Sequence, residues 1–200
     1  MNLKITLVVA ASVIGNVTTI PYIIDVFRQK TTPHSYSWLV WTILQVTGAL
    51  AMLAGGAGIG VLYLFIGAAT CIFVFLLSLR YGTKNITSFD MVCLVGALLA
   101  TAVWFFLHDA LLSVILVASI DLVAFLPTFR KAYEEPRTET LSMYIFSGIA
   151  QLMSLVSLSV FTFTTTFYLS ELVVANAVFV AMVLIRRAHT PAPSSSSLLK

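Results

Sequence analysis

The sequence predicts an all-α membrane protein with seven transmembrane helices, arranged as two parallel three-helix repeats joined by a linker helix. Composition is the first reason. Of the 200 residues, 60% are apolar and 10% charged, where a soluble domain carries about 25% charged residues. The mean hydropathy is +1.01. Segment length is the second reason. About 20 mainly apolar residues cross a bilayer, and runs of that kind occupy 4–27, 37–55, 59–80, 89–107, 111–130, 141–161 and 166–186. The third reason is an internal echo. A shift of 106 positions carries Ile14, Val17, Pro21, Thr32, Ile43 and Gln45 onto Ile120, Val123, Pro127, Thr138, Ile149 and Gln151. Each copy has an apolar helix with a proline near its end, a charged loop, and a second apolar helix carrying one glutamine. The same shift puts Arg80 on Arg186, each closing a third apolar segment. Such repetition decides the architecture before any local feature does.

The expected organisation is a first repeat at 4–80, a linker helix at 89–107 and a second repeat at 111–187. A Pro/Ser-rich tail at 188–200 is expected to be disordered. The first segment follows Lys4 and has the look of a signal peptide. Its counterpart at 111–130 cannot be one, so a span is expected. Polar residues inside a bilayer are costly and usually face a bundle interior or a cavity. The first helix places Ser12, Gly15, Asn16 and Thr19 on one face. The second carries Trp38, Trp41, Thr42, Gln45 and Gly48, and the third Tyr63, Gly67 and Thr70. Three-helix units can share one orientation only if a fourth helix crosses back between them, which is the role expected of 89–107.

In the fifth helix Asp121 falls near mid-membrane with no Lys or Arg within two turns. A carboxylate at that depth costs about 2.5–3.5 kcal/mol on insertion scales. It is expected to couple protons or to anchor a cationic or polyhydroxylated substrate; the plainer alternative is a protonated acid at a helix contact. Its repeat partner, Gly15, is expected to leave space opposite the carboxyl group. The sixth helix offers Ser147, Gln151 and Ser154, the seventh Asn176. Asn16, Gln45, Thr70, Asp121, Gln151 and Asn176 are therefore the expected substrate-binding set. Interhelical hydrogen bonding, worth about 0.6–2 kcal/mol per contact, is the structural alternative for each. Pro21 and Pro127 each remove a backbone hydrogen bond and are expected gating hinges. Glu171, near the outer end of the last segment, is expected to lie at the interface, and Trp38 and Tyr144 in an aromatic belt. Cys71 and Cys93 sit in apolar runs and are expected to be filler. His108 and Asp109 are expected in a solvated turn, and His34 in the loop between the first two segments, with no other histidine placed to make a metal site with it.

Charge sets the expected orientation. Arg28, Lys30, Arg80, Lys84, Arg130, Lys131, Arg137, Arg186, Arg187 and Lys200 would share one side of a seven-span protein, opposite Lys4 alone. The side rich in Lys and Arg is cytoplasmic, so the N-terminus is expected outside and the C-terminus in the cytoplasm, with a plasma or inner membrane as the setting.

Gly15-Asn16…Pro21, then Lys30-Thr31-Thr32…Ser35…Ser37-Trp38, with Pro127…Thr138…Ser142 in the second half, resemble the SWEET and PQ-loop transporter superfamily over roughly residues 5–187. The Pro-Gln pair that names the PQ-loop group stands here as Pro21-Tyr22 and Pro127-Thr128. The resemblance implies alternating-access transport of a sugar or similar metabolite. It also implies a sugar-contacting asparagine on the third helix of each half, which is Asn176 in the second half and Thr70 in the first.

The expected function is transport of a small polar solute, as a facilitator or coupled to H+ through Asp121, with no cofactor. The alternative is a seven-helix receptor or sensor, or a regulator of another membrane protein. A retinal protein would need a lysine buried in the last helix, and the five lysines lie at helix ends or in loops. An enzyme is not expected, because no histidine falls at mid-depth. The expected partners are the solute and the lipid bilayer, with a homo-oligomer left open. The net charge of +3 gives no reason to expect nucleic acid.

Overall fold

Residues 3–29, 33–82, 87–134, 136 and 141–189 are described by the computed structural model of the chain. Lys30, Lys84, Arg137 and the tail from position 190 lie outside these residues, as do the side chains of Pro127, Arg130 and Lys131. The regular elements among the described residues are all helices: α1 (Leu3–Val17), α2 (Ile20–Phe27), α3 (Ser35–Ala54), α4 (Leu62–Tyr81), α5 (Ser88–Ala102), α6 (Ala110–Glu134), α7 (Leu141–Val156) and α8 (Phe163–His189). A 3-10 turn, Gly58–Val61, leads into α4, and a π-turn, Val103–Leu107, ends α5.

Five stretches are long and apolar enough to cross a membrane: Leu3–Phe27, Ser35–Ala54, Gly58–Tyr81, Ser88–Leu107 and Phe163–His189. The apolar helices Ala110–Leu126 and Leu141–Val156 are shorter. Exposed Val, Leu, Ile and Phe cover the outward faces, among them Val13, Leu76, Leu99, Leu122 and Val178. These features are those of a multi-pass integral membrane protein. α7 stops at Val156, short of the expected 161, because a serine cluster turns the chain. Ser157 donates its N–H to the carbonyls of Met153 and Ser154, each at 3.1 Å, and its hydroxyl to Ser154 O at 2.7 Å.

Local chemistry sets the other ends. α5 begins at a capping box, in which Asp90 N–H donates to Thr87 Oγ1 (3.3 Å) and Thr87 N–H to Asp90 Oδ2 (2.7 Å), satisfying two otherwise orphan donors. α3 is capped by His34, whose Nδ1 accepts from Ser37 N–H at 3.3 Å. Gly56 and Gly58 turn the chain after α3 at φ +89° and +67°, a region open to glycine without strain. Thr18 and Thr19 separate α1 from α2, with Pro21 in the first turn of α2. By contrast α6 continues without a break through position 127, so the two prolines expected to act alike sit in different backbones.

The packing order is simple. α4 packs against both α1 and α3, and α8 against both α6 and α7. The two trios meet through α1 against α7 and α3 against α6, while α5 lies on α3 and α6. Small residues permit close approach, as they do in membrane bundles. A Cβ on Gly15 would lie 2.8 Å from the Tyr63 ring, and one on Gly48 2.7 Å from the Tyr168 ring. The missing side chain at Gly15 thus makes room for the Tyr63 ring, and Gly15 and Asp121 border a common cavity.

Candidate functional site

The loops divide the helix ends into two sets. Arg28, Arg80, Arg186 and Arg187 follow or close α2, α4 and α8, which defines a basic end. The opposite end carries the turns around 55–61, 108–109 and 157–162; its charged side chains, Lys4 and Asp109, cancel, so it is the uncharged end in net terms. Among the described residues, three hydrogen bonds between the trios fasten it. Ser159 N–H donates to Ala57 O at 2.7 Å, Ser154 Oγ to Gly60 O at 2.7 Å, and Lys4 Nζ to Leu158 O at 2.6 Å.

Between the ends lies a cavity of about 230 Å³, and Asn16, Gln45, Thr70, Asp121, Gln151 and Asn176 all line it. They come from α1, α3, α4, α6, α7 and α8, so both trios contribute. Each amide is oriented by neighbours. Asn16 Nδ2 donates to Ser12 O at 2.7 Å, and Thr70 Oγ1 donates to Asn16 Oδ1. Gln45 Nε2 donates to Cys71 Sγ at 3.1 Å, and Gly67 makes the room, because a Cβ there would overlap the Gln45 side-chain oxygen. Asn176 Nδ2 donates to Gln151 Oε1 (3.0 Å) and to Leu172 O (2.9 Å), and Tyr63 of the other trio lines the same cavity.

Asp121 is 7% exposed and, among the described residues, its carboxyl accepts no hydrogen bond. It is the one acidic or basic side chain among the described residues lining the cavity. Tyr168 and Cys71 line the cavity with it. Glu171 corrects an expectation. Rather than meeting water at an interface, both its carboxyl oxygens are buried without a hydrogen-bond partner among the described residues. The expected span began at 166, but α8 begins at Phe163. At 1.5 Å per residue Glu171 is therefore roughly 12 Å into its helix.

Trp38 and Tyr144 are also displaced from their expected place in an aromatic belt, since both line the cavity. Trp38 is 8% exposed, donates from Nε1 to the Tyr22 hydroxyl at 3.3 Å, and meets Trp41 edge-on at 5.3 Å. Tyr144 packs on Phe179 at 4.1 Å, with Phe125 stacked on Phe179 at 5.4 Å. Toward the basic end, Trp41 and Phe125 lie about one turn beyond Gln45 and Asp121, and Trp38 and Tyr144 about two turns beyond Gln45 and Gln151. Tyr63 and Tyr168 lie on the other side of the polar layer. Cys71 is no filler either; it lines the cavity as a free thiol.

Some expected residues do other work. Ser12 and Thr42 hydrogen-bond carbonyls of their own helices, and Ser154 fastens the uncharged end. His34, at the end of the loop between the first two segments, caps α3 and pairs with Asp90 at 3.5 Å. Phe125, Thr128, Leu172 and Tyr168 were absent from the expected set. Tyr168, Leu172 and Ala175–Asn176 recur at helical spacing, so the face of α8 was readable from Asn176. Among the described residues, no group of three or more His, Cys, Asp or Glu side chains is placed to hold a metal ion.

With these six residues in one cavity, outside comparison adds nothing further: no family model matches the chain, and no curated protein or solved structure is similar to it.

Proposed function

We propose that this chain is a seven-helix carrier that moves a small polar solute by alternating access. One observation carries the reading: the six polar side chains named from the sequence, drawn from both trios, meet in one cavity flanked by aromatic rings. A cavity of about 230 Å³ is below the 300–1,000 Å³ of drug-sized sites, and so suits a small solute. Amide and hydroxyl groups offer both donors and acceptors. A carboxyl with no hydrogen-bond partner and no cation beside it in the cavity wall, among the described residues, disfavours an anion and suits a polyhydroxylated or cationic solute.

The carrier is built as two parallel repeats. Support comes from the packing: the third helix of each trio sits between the other two, and exchanging the trios turns the α1–α7 contact into α6–α3. The linker α5 lies on one side only and has no counterpart. The basic ends face the cytoplasm, which places the N-terminus outside. The fastened uncharged end makes this the state closed to the outside.

Uptake into proteoliposomes tests the reading, with labelled sugars, amino acids and nucleosides offered with and without an inward pH gradient. Saturable uptake of one class, reduced at least tenfold by Asn176→Ala, is expected. A gradient requirement that disappears in Asp121→Asn makes the carrier proton-coupled. Gradient-independent uptake makes it a facilitator. No uptake of any class overturns the carrier in favour of a receptor or regulator.

A further inference from the structure

A second cavity, of about 420 Å³, lies between α3, α5 and α6 toward the basic end. His34 and Ser37 line it from the start of α3, Asp90 and Cys93 from the start of α5, and Thr128 from α6. His34 and Asp90 are 27% and 18% exposed, and Phe89 at the rim is 38% exposed, so this cavity reaches the surface. Two of its wall residues, Trp41 and Thr128, also line the central cavity. The two spaces are thus separated by an indole and a threonine side chain. Thr128 is a small side chain, and Trp41 packs against two apolar clusters and edge-on to Trp38. Among the described residues, the direct hydrogen bonds between the trios lie at the uncharged end. None fastens α3 to α6 at the basic end.

We propose that the second cavity is the cytoplasmic vestibule of the solute path, entered from the central cavity between Trp41 and Thr128. The linker helix α5 then lines the path as well as joining the trios. The His34–Asp90 pair and the hydroxyls of Ser37 and Thr87 rehydrate a polar, uncharged or cationic solute as it leaves. This assignment rests on the carrier reading for its meaning, but its test uses no transport.

The two native thiols report on the two spaces, since Cys71 lines the central cavity and Cys93 the vestibule, and both are free. The full chain is reconstituted in vesicles, sorted by orientation, and treated with a membrane-impermeant, positively charged methanethiosulfonate. Cys93→Ser and Cys71→Ser versions isolate each thiol. From the basic side, Cys93 is expected to react readily and Cys71 at least tenfold more slowly. Trp41→Ala is expected to raise the Cys71 rate at least fivefold and leave that of Cys93 within twofold. Trp41→Phe and Thr128→Ala keep the test valid if Trp41→Ala folds poorly, each with a smaller rise. A Cys93 that is inert from the basic side overturns the vestibule. A Cys71 rate unmoved by all three variants overturns the passage. Either result leaves the uptake screen free to succeed, so the two readings fail separately.

Discussion

At the scale of single residues, the cavity is a set of amides whose hydrogen-bonding is only partly used. Asn176 spends its amide N–H groups on Gln151 and Leu172. A purely structural asparagine would cost about 0.6–2 kcal/mol on removal, the range for polar contacts between membrane helices. Asn176→Ala is therefore expected to lower the thermal midpoint in detergent modestly, while solute uptake falls at least tenfold; equal losses in both would mark the residue as scaffold. Gly67→Ala tests how Gln45 is placed. Its added Cβ has no room beside the Gln45 oxygen, so Gln45 must move off Cys71 and the thiol should react severalfold faster. Thiol labelling of folded protein measures that rate. Asn16, Gln45, Asp121 and Gln151 were legible in the sequence because each is costly in lipid and so must face something polar. Glu171 was misplaced because its depth depends on where α8 starts, which polar Thr residues at 162–166 obscure. The aromatics around the cavity were hidden for the opposite reason: Trp and Tyr are ordinary at membrane boundaries, so their packing inward leaves no compositional mark.

At the scale of elements, the helices follow the apolar runs closely, and the departures lie at their ends. α7 ends early because serine hydroxyls and N–H groups bind the last carbonyls, a competition with the helix that hydropathy does not register. The first span was expected to be one helix and is two, parted at Thr18–Thr19 ahead of Pro21. Proline supplies no N–H to the fourth preceding carbonyl, that of Val17. Thr19 N–H instead bonds Asn16 O at 3.0 Å, a tighter turn that sits beside a cavity residue. Pro21→Ala restores the donor, and α1 and α2 are expected to join into one helix. If the break is a hinge of the inner gate, uptake should fall about fivefold while thermal stability holds or rises. Pro127→Ala, in a helix that is already continuous, should change uptake by less than twofold. Similar losses in both would return the hinge to the symmetric form that the sequence suggests.

At the scale of the whole molecule, the two ends differ in how they are held, and that difference makes a carrier testable without its solute. Among the described residues the uncharged end has three hydrogen bonds between the trios, and Gly60 lets the chain after α7 approach so closely that a Cβ would lie 2.9 Å from Leu158 N and 2.7 Å from its side chain. Backbone at that distance cannot yield as a flexible side chain can. Gly60→Val is therefore expected to part the turns at 55–61 and 157–162, weakening the Ser154–Gly60 and Ser159–Ala57 bonds together. In an alternating-access protein, opening one end favours closure of the other, because only a difference in free energy between the two states shifts their populations. A shift of tenfold needs about 1.4 kcal/mol, which the loss of one or two such hydrogen bonds supplies. Cys71 labelling reads the result from both sides of oriented vesicles. The variant should raise the rate from the uncharged side about tenfold and lower it from the basic side. If both rates rise, the uncharged end is simply a structural seam and the molecule has loosened. If only the uncharged-side rate rises, the ends move independently, as in a channel, and alternating access is the wrong mechanism for this cavity.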